Sequence, residues 1–397
     1  MKILLTHIFS LENKGLAAIN SVTISQLRSL FPGVELFIST SDDIKEGERH
    51  FAGTKEISSF FFFAISAKKS GLLRILRSTY MLLALLIWCT AYRSLKVELD
   101  FILTEDLKRI LKTYVESDLI IFAGGGYLNG KNKIRDDINL FLLLYGIVVL
   151  LILGKKIILY AQSIGPFGDK FQKLIGKFVL NRAHVIFARE QKTVNFLKEI
   201  GISKPQVIKT VDVAFLFQSD KKKEMLKYLE SLGVDTKKRM VGITAQKKFD
   251  HTPQEKFEME FAKFADYLIS EMDMQVIIIP QVVDPLHNED DTLINERIKN
   301  KMQNTHGVWI IRDILDHHET KGIYENLDLL VGTRTHACIF ALTGGVPVIA
   351  IEYVHKTSGI MNDLGLGEWV IKIEEVTSDK LIKIFTKFIE QKKHYLE

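Results

Sequence analysis

The sequence predicts an α/β protein made of two doubly wound units, and three observations carry that prediction. Short aliphatic runs such as residues 157–161, 185–188 and 276–279 recur with helical stretches between them, the pattern of parallel strands buried on both faces. Glycines and polar or charged residues follow the carboxyl ends of these runs, where an open parallel sheet places its ligands. A Lys- and Glu-rich stretch over residues 219–240 then divides the strands into two series, giving units at 1–218 and 219–397. At 397 residues the chain also exceeds what one hydrophobic core ordinarily serves.

Composition narrows the function. An apolar content of 47% and a charged content of 25% exclude a disordered chain. A net charge of +5 suits anionic substrates or an anionic membrane surface, and no compact basic-aromatic motif points to nucleic acid, so that partner is excluded. Cys89 and Cys338 lie in apolar segments without metal-ligand spacing and read as buried thiols of a reducing compartment. Residues 1–7 are too short and too soon interrupted by polar groups for a signal peptide, and they read as a first strand; the expected location is cytoplasmic.

In chain order, a strand over 2–6 leads through a loop into Asn13-Lys14-Gly15 and a helix running towards Leu30. Gly15 lets backbone approach an anion or a sugar, although no dinucleotide fingerprint is present. A second strand spans 34–39. Residues 81–89 are an unbroken apolar run flanked by Lys68, Lys69, Arg74, Arg77, Arg93 and Lys96. That run falls short of the ~20 residues of a spanning helix and reads either as a core helix or as a helix lying at a membrane interface.

A strand over 117–122 ends in Gly124-Gly125-Gly126, a turn open to close backbone approach. Residues 140–153 read as a helix packed on the sheet. The strand over 157–161 opens into Gln162 and Ser163, placed to meet substrate hydroxyls, and the strand over 185–188 into Arg189 and Glu190. Arg189 reads either as a ligand contact or as an ion-pair partner of Glu190 or a neighbour.

The second series begins with strands over 241–244 and 276–279. Asp284, His287, Asp290 and Asp291 follow; their spacing matches no standard metal site, and a polar helix start is the competing reading. A strand over 308–311 precedes residues 328–331, which lead into Gly332-Thr333-Arg334-Thr335-His336. Arg334 offers a planar fork of donors for carboxylate or phosphate, and His336 a proton that moves near neutral pH. A surface ion pair or a helix cap is the plainer alternative. After the strand over 346–351, Lys356 is placed on a loop, facing the crevice or simply solvent. A last helix over 379–393 could pack back across the first domain.

These marks together resemble the polysaccharide pyruvyl transferases: Asn13-x-Gly15, Gly124-Gly125-Gly126, Gln162-Ser163-Ile164-Gly165-Pro166, Ala188-Arg189-Glu190, Gly332-x-Arg334-x-His336-Ala337 and Tyr353-x-x-Lys356. The resemblance implies a GT-B-like fold, two Rossmann-like doubly wound domains with an interdomain cleft. It implies transfer of the enolpyruvyl carbons of phosphoenolpyruvate, as co-substrate, onto two hydroxyls of a surface-polysaccharide sugar, with no further cofactor and no metal. Arg334, Arg189 and Lys356 would hold phosphoenolpyruvate, and His336 would be the general acid. Gly125, Gly126, Gln162, Ser163, Asn13 and Gly15 would complete the substrate contacts. The acceptor would be a saccharide, polyprenyl-diphosphate-linked in one form of the reading, which would put the enzyme peripherally on the inner face of the cell membrane. This chain departs from many relatives in having Leu16-Ala17-Ala18 after Gly15, where they carry an acidic residue. A GT-B glycosyltransferase using a nucleotide sugar and a non-catalytic sugar- or anion-binding module stay open as alternatives.

Overall fold

The structure, a computed structural model, describes residues 1–8, 12–40, 51–59, 72–130, 134–246, 254–284, 289–304, 306–353 and 355–396. Lys68, Lys69 and His287 lie outside the described residues. The chain divides into two compact units, Met1–Ser10 with Ile19–Val213, and Leu11–Ala18 with Ala214–Glu397.

In unit 1 the strands are β1 (Lys2–Ile8), β2 (Glu35–Thr40), β3 (Lys55–Ser58), β4 (Leu119–Phe122), β5 (Gly125–Leu128), β6 (Ile157–Ile164), β7 (Val185–Ala188) and β8 (Gln206–Lys209). They lie in the order β3-β2-β1-β4-β6-β7-β8, with β5 added onto β6, and every described pairing is parallel. The helices are α1 (Lys14–Leu30, whose residues up to Ala18 belong to unit 2), α2 (Leu72–Leu95), α3 (Glu105–Glu116), α4 (Ile134–Ile152), α5 (Lys170–Leu180) and α6 (Gln191–Glu199).

Period-two alternation explains why these strands are apolar throughout. Ile3, Leu5, Ile121 and Ala123 pack with Ile24 and Leu27 of α1, whereas Leu4, Ile120, Phe122, Ile157 and Leu159 face the core built by α2 to α5. The run over 81–89 is the middle of the 24-residue α2, and Ile75–Leu95 is by length and composition alone apolar enough to cross a membrane. Met81, Ala84, Leu85, Trp88 and Cys89 recur at helical spacing and are buried in the unit 1 core. Those side chains pack with the strands and neighbouring helices of unit 1, so the inner stripe of α2 is part of that core.

Unit 2 contains β9 (Met240–Thr244), β10 (Gln275–Ile278), β11 (Val283–Asp284), β12 (Glu289–Asp290), β13 (Val308–Ile310), β14 (Leu329–Gly332), β15 (Val348–Glu352) and β16 (Val370–Lys372). Its parallel sheet has the order β13-β10-β9-β14-β15-β16, while β11 and β12 form a small antiparallel pair. The helices are α7 (Lys222–Ser231), α8 (Gln254–Ser270), α9 (Asp291–Lys301), α10 (His317–Tyr324), α11 (Thr335–Thr343), α12 (His355–Asp363) and α13 (Ser378–Leu396). Numbered within its own sheet this is the 3-2-1-4-5-6 order of a dinucleotide-type fold, so strand direction out of the centre reverses between β9 and β14. In unit 1 the same reversal falls between β1 and β4.

The last helix seats Leu381 and Phe385 in the unit 2 core, where Phe385 meets Phe264 and Tyr267 of α8 edge-on. The change of unit comes before the charged stretch at 219, because Phe217 already packs on His317, His318 and Phe340, and Ser219 Oγ donates to the His318 carbonyl at 2.7 Å.

Burial lowers the His317 imidazole to about 4, helped by nearby His318 and Lys14 and opposed by Asp316. The unfolded chain therefore takes up a proton here that the folded chain refuses, and stability falls as pH drops from the ordinary histidine value of 6.5 towards 4. His317→Gln should remove on the order of 1–3 kcal/mol of that loss, measured by urea unfolding at pH 7 and pH 4. An identical acid slope in the variant would contradict a neutral, buried His317.

Candidate functional site

At the switch point of unit 2, β9 and β14 run side by side and the chain leaves β14 close to β9. The Thr333 amide and hydroxyl both donate to the Thr244 carbonyl, at 3.1 and 3.3 Å. Gly332 permits this approach, since a Cβ there would stand 2.7 Å from Thr244 Oγ1. The turn delivers Arg334 as the residue capping α11 in extended backbone, with Thr335 and His336 in the first helical turn. Helix starts carry uncommitted N–H groups and the positive end of the dipole, which favours an anion.

The Arg334 side chain does not cap the helix. It reaches Asp291 as a fork, Nε to Oδ2 at 3.1 Å and Nη2 to Oδ1 at 2.6 Å. Asp291 is 1% exposed, and its Oδ2 also accepts from the Gln281 and Val282 amides at 3.1 Å each. Burial pushes the Asp291 carboxyl above its ordinary value, while Arg334 and the two amides oppose that. Tyr324, whose hydroxyl burial pushes far up, donates to Gln281 Oε1 at 2.8 Å. Asp291 was legible only as part of an acidic cluster. Asp290 does start the helix, accepting from Thr292 N at 2.9 Å, while Asp291 is the partner of Arg334. Among the described residues no group of three or more His, Cys, Asp or Glu could hold a metal ion.

The loop at Asn13 joins this same cluster. Asn13 forms an antiparallel bridge with Val282, the Lys14 amide donates to the Gln281 carbonyl at 3.3 Å, and Asn13 Oδ1 accepts from Leu16 N at 3.3 Å to start α1. Gly15 lies against the imidazole of His336: a methyl group built on Gly15 would overlap the ring at Cγ and Nδ1. His336 is 7% exposed. Asn13, Gly15, Arg334 and His336 are therefore drawn together within unit 2, although more than 300 residues separate the two pairs.

Lys356 is half-buried in the first turn of α12 rather than on a loop. Its neighbour Thr357 shares a 2.7 Å hydrogen bond with Thr335, so the first turns of α11 and α12 are tied together. That link, like Asp291, had no motif to announce it.

The remaining candidates belong to unit 1 and are committed to internal bonds. Arg189 is 2% exposed; Nε donates to Ser163 Oγ at 2.6 Å and Nη1 to Asp212 Oδ2 at 2.6 Å, with Glu190 Oε2 3.4 Å from Nε. These bonds match the ion-pair reading of Arg189, while its Nη2 is buried without a hydrogen-bond partner among the described residues. Ser163 in turn donates to Glu190 Oε2 at 2.8 Å. Gln162 and Ser163 lie inside β6, which runs on to Ile164, and the Gln162 amide donates to the Phe122 and Ala123 carbonyls. Gly125 and Gly126 are the first residues of β5, with Gly125 opposite Gln162. Cys89 and Cys338 are free, buried thiols pushed up to about 12 by burial.

Asp291→Ala would leave the Arg334 fork and two amides without their acceptor, and should lower unfolding stability by about 3–5 kcal/mol, read by urea titration; a loss under about 1 kcal/mol, the size of an exposed pair, would contradict the buried fork. Gly15→Ala should cost about 1–3 kcal/mol by overpacking and move the His336 ring resonances in an NMR spectrum. Unmoved resonances with unchanged stability would show that the ring is not held against this backbone.

Comparison with known proteins places these residues in a family. The family profile for polysaccharide pyruvyl transferase matches residues 13–355. The amylovoran biosynthesis protein AmsJ of Erwinia amylovora is 25% identical over 240 residues, covering 58% of this chain and 57% of that protein, so the alignment spans little more than half of the relative's length. Among solved structures, a UDP-GlcNAc 2-epimerase from Neisseria meningitidis bound to UDP-GlcNAc superposes with a TM-score of 0.57 at 12% identity, over 100% of this chain and 93% of that one. Alr3699/HepE of Anabaena in complex with UDP-glucose gives 0.56 at 14% identity, over 99% and 91%. These likenesses establish the GT-B-like fold class. With the profile covering most of its length, the chain belongs to the polysaccharide pyruvyl transferase family.

Proposed function

We propose that the protein transfers pyruvyl from phosphoenolpyruvate to a sugar of a surface-polysaccharide repeat unit, closing a cyclic ketal and releasing phosphate. The observation that carries this reading is the assembly of Arg334, His336 and the Asn13–Gly15 loop at the switch point of unit 2, beside the first turn of α12 with Lys356. Phosphoenolpyruvate carries a carboxylate and a phosphate, and a fixed guanidinium, a lysine and two helix starts are the donors such a dianionic ligand needs.

In the reaction, His336 as imidazolium gives a proton to the methylene carbon, and the central carbon becomes electrophilic. A sugar hydroxyl adds there, the carbon–oxygen bond to phosphate breaks, and a second hydroxyl closes the ketal. Of the two hydroxyl protons, one restores the acid that formed the methyl group and the other leaves with phosphate. Positive charge from Arg334 and Lys356 stabilises the departing anion. Arg189 serves in this reading as an internal brace that fixes Ser163 and Glu190. Phosphoenolpyruvate binding is assigned in this reading to unit 2. The acceptor we infer is lipid-linked, and the enzyme would work at the inner face of the cell membrane.

Incubation with phosphoenolpyruvate and candidate oligosaccharides should release phosphate with a matching mass gain on the sugar. Release of a nucleoside diphosphate from a nucleotide sugar, or binding without product, would overturn the proposal. His336→Ala should lower the rate by about 10²–10⁴ with phosphoenolpyruvate still bound. Arg334→Ala should raise its KM roughly 10–100-fold, the value of one or two charged hydrogen bonds. An unchanged rate in the His336 variant would remove the general-acid role.

A further inference from the structure

Unit 1 carries a surface that the reaction does not use. Three helices, α2, α4 and α5, lie side by side on one face of its sheet: Tyr145 of α4 donates to the Leu82 carbonyl of α2, and Gln172 of α5 donates to Asp137 of α4 at 2.7 Å. Each buries one stripe and presents another. On α2 the outward stripe is Leu76, Tyr80, Leu83 and Ile87, each more than half exposed, at helical spacings of four, three and four. On α4 Ile138 and Phe141 face out, and on α5 Phe171 (68%), Leu174 (64%) and Phe178 (55%) do so at spacings of three and four. Isolated exposed apolar residues are ordinary on a protein surface; stripes on three adjacent helices are not.

The charge on this layer is basic on balance. Residues 72–97 contain Arg74, Arg77, Arg93 and Lys96 and no acid, and residues 170–182 contain Lys170, Lys173, Lys177 and Arg182 and no acid. These eight cations exceed the +5 of the whole chain, so the rest of the protein is on balance acidic. Acids border the layer as well: α4 opens with Asp136 and Asp137 beside Arg135, and Asp169 caps α5, yet the cations outnumber them; Glu199 pairs with Lys173 at 2.8 Å, Asp137 and Asp169 each accept from Gln172, and Asp100 accepts from Trp88 Nε1 at 3.0 Å. Arg182 lies over the Phe178 ring, 3.6 Å from its centroid, and Lys96 near Tyr92, which is the pairing of basic and aromatic groups that suits a headgroup boundary.

We propose that the outward faces of α2, α4 and α5 form one docking surface for an anionic lipid bilayer, with α2 lying in the membrane plane. Exposed aliphatic and aromatic side chains enter the acyl boundary while the lysines and arginines meet lipid phosphates. The buried stripe of α2 stays in the core, so no helix is withdrawn from the fold. This inference concerns unit 1 alone and can fail while the pyruvyl-transfer reading stands.

The test is co-sedimentation of the full chain with phosphatidylcholine vesicles with and without phosphatidylglycerol, at low and high salt. Wild type should pellet with the anionic vesicles, about tenfold or more in preference to the neutral ones, and high salt should reduce the difference. Leu83→Asn with Ile87→Asn, and separately Phe171→Ser with Phe178→Ser, should cut anionic binding roughly tenfold each without moving the melting temperature, because these side chains are exposed in the free protein. Lys170→Glu with Lys177→Glu should abolish the anionic preference. Absence of wild-type protein from the vesicle pellet at low salt would overturn the proposal, as would variants that bind like wild type. A wild-type dimer that the Leu83/Ile87 variant dissociates would overturn it too, since a second copy would then be what covers the face.

Discussion

The buried fork between Arg334 and Asp291 is the constraint on which the candidate site depends. A guanidinium in a nearly water-free setting needs an acceptor for its planar donors, and Asp291 supplies both oxygens. The same carboxylate accepts the amides of Gln281 and Val282, the residues onto which the Asn13–Lys14 segment is bonded. One carboxylate thus ties together the turn after β14, the segment after β10 and the N-terminal loop. Gly15 reaches the His336 ring because that loop is pinned at Val282, and His336 is oriented because the helix it begins starts at Arg334.

Such a fork also sets what Arg334 can do. With Nε and Nη2 committed to Asp291, the guanidinium plane is held in one orientation, and its remaining donors have a fixed direction. Arg189 is held differently: Nε and Nη1 bond Ser163 and Asp212 inside unit 1, Nη2 is buried without a hydrogen-bond partner among the described residues, and the side chain braces the ends of β6 and β7.

The sheets were legible because their signal is local. Strands buried on both faces need apolar residues at every position, so 157–161, 185–188 and 276–279 stand out in any window. Arg334 and His336 were legible by position at a strand end. What stayed hidden is the side-chain pairing between distant segments: nothing near Asp291 names Arg334 as its partner, and nothing near Gly15 names His336. A strand end is also longer than its apolar run: Gln162 and Ser163 break the run after Ala161, yet β6 continues through Ile164 and turns the Gln162 amide onto the carbonyls of β4 and its following residue. His355 and Lys356 break the apolar run and so predict a loop, while in the fold they begin a helix.

The helix α2 shows why an apolar run by itself is ambiguous. A stretch of 24 residues with no acid and aliphatic groups on every side satisfies the composition of a spanning segment, a core helix and an interfacial helix alike. Sequence periodicity cannot separate these, because both stripes of the helix are apolar. The separating fact is three-dimensional: Met81, Ala84, Leu85, Trp88 and Cys89 are buried against the sheet, which binds the helix to the unit, while Leu76, Leu83 and Ile87 are more than half exposed, as is Tyr80, whose hydroxyl donates to the Ile102 carbonyl at 2.8 Å. An aliphatic stripe kept outward on a helix already long enough to satisfy its inner face does nothing for the core of unit 1. Its neighbours on α4 and α5 repeat the arrangement under an excess of positive charge, and a surface of that chemistry is complementary to a bilayer with anionic headgroups.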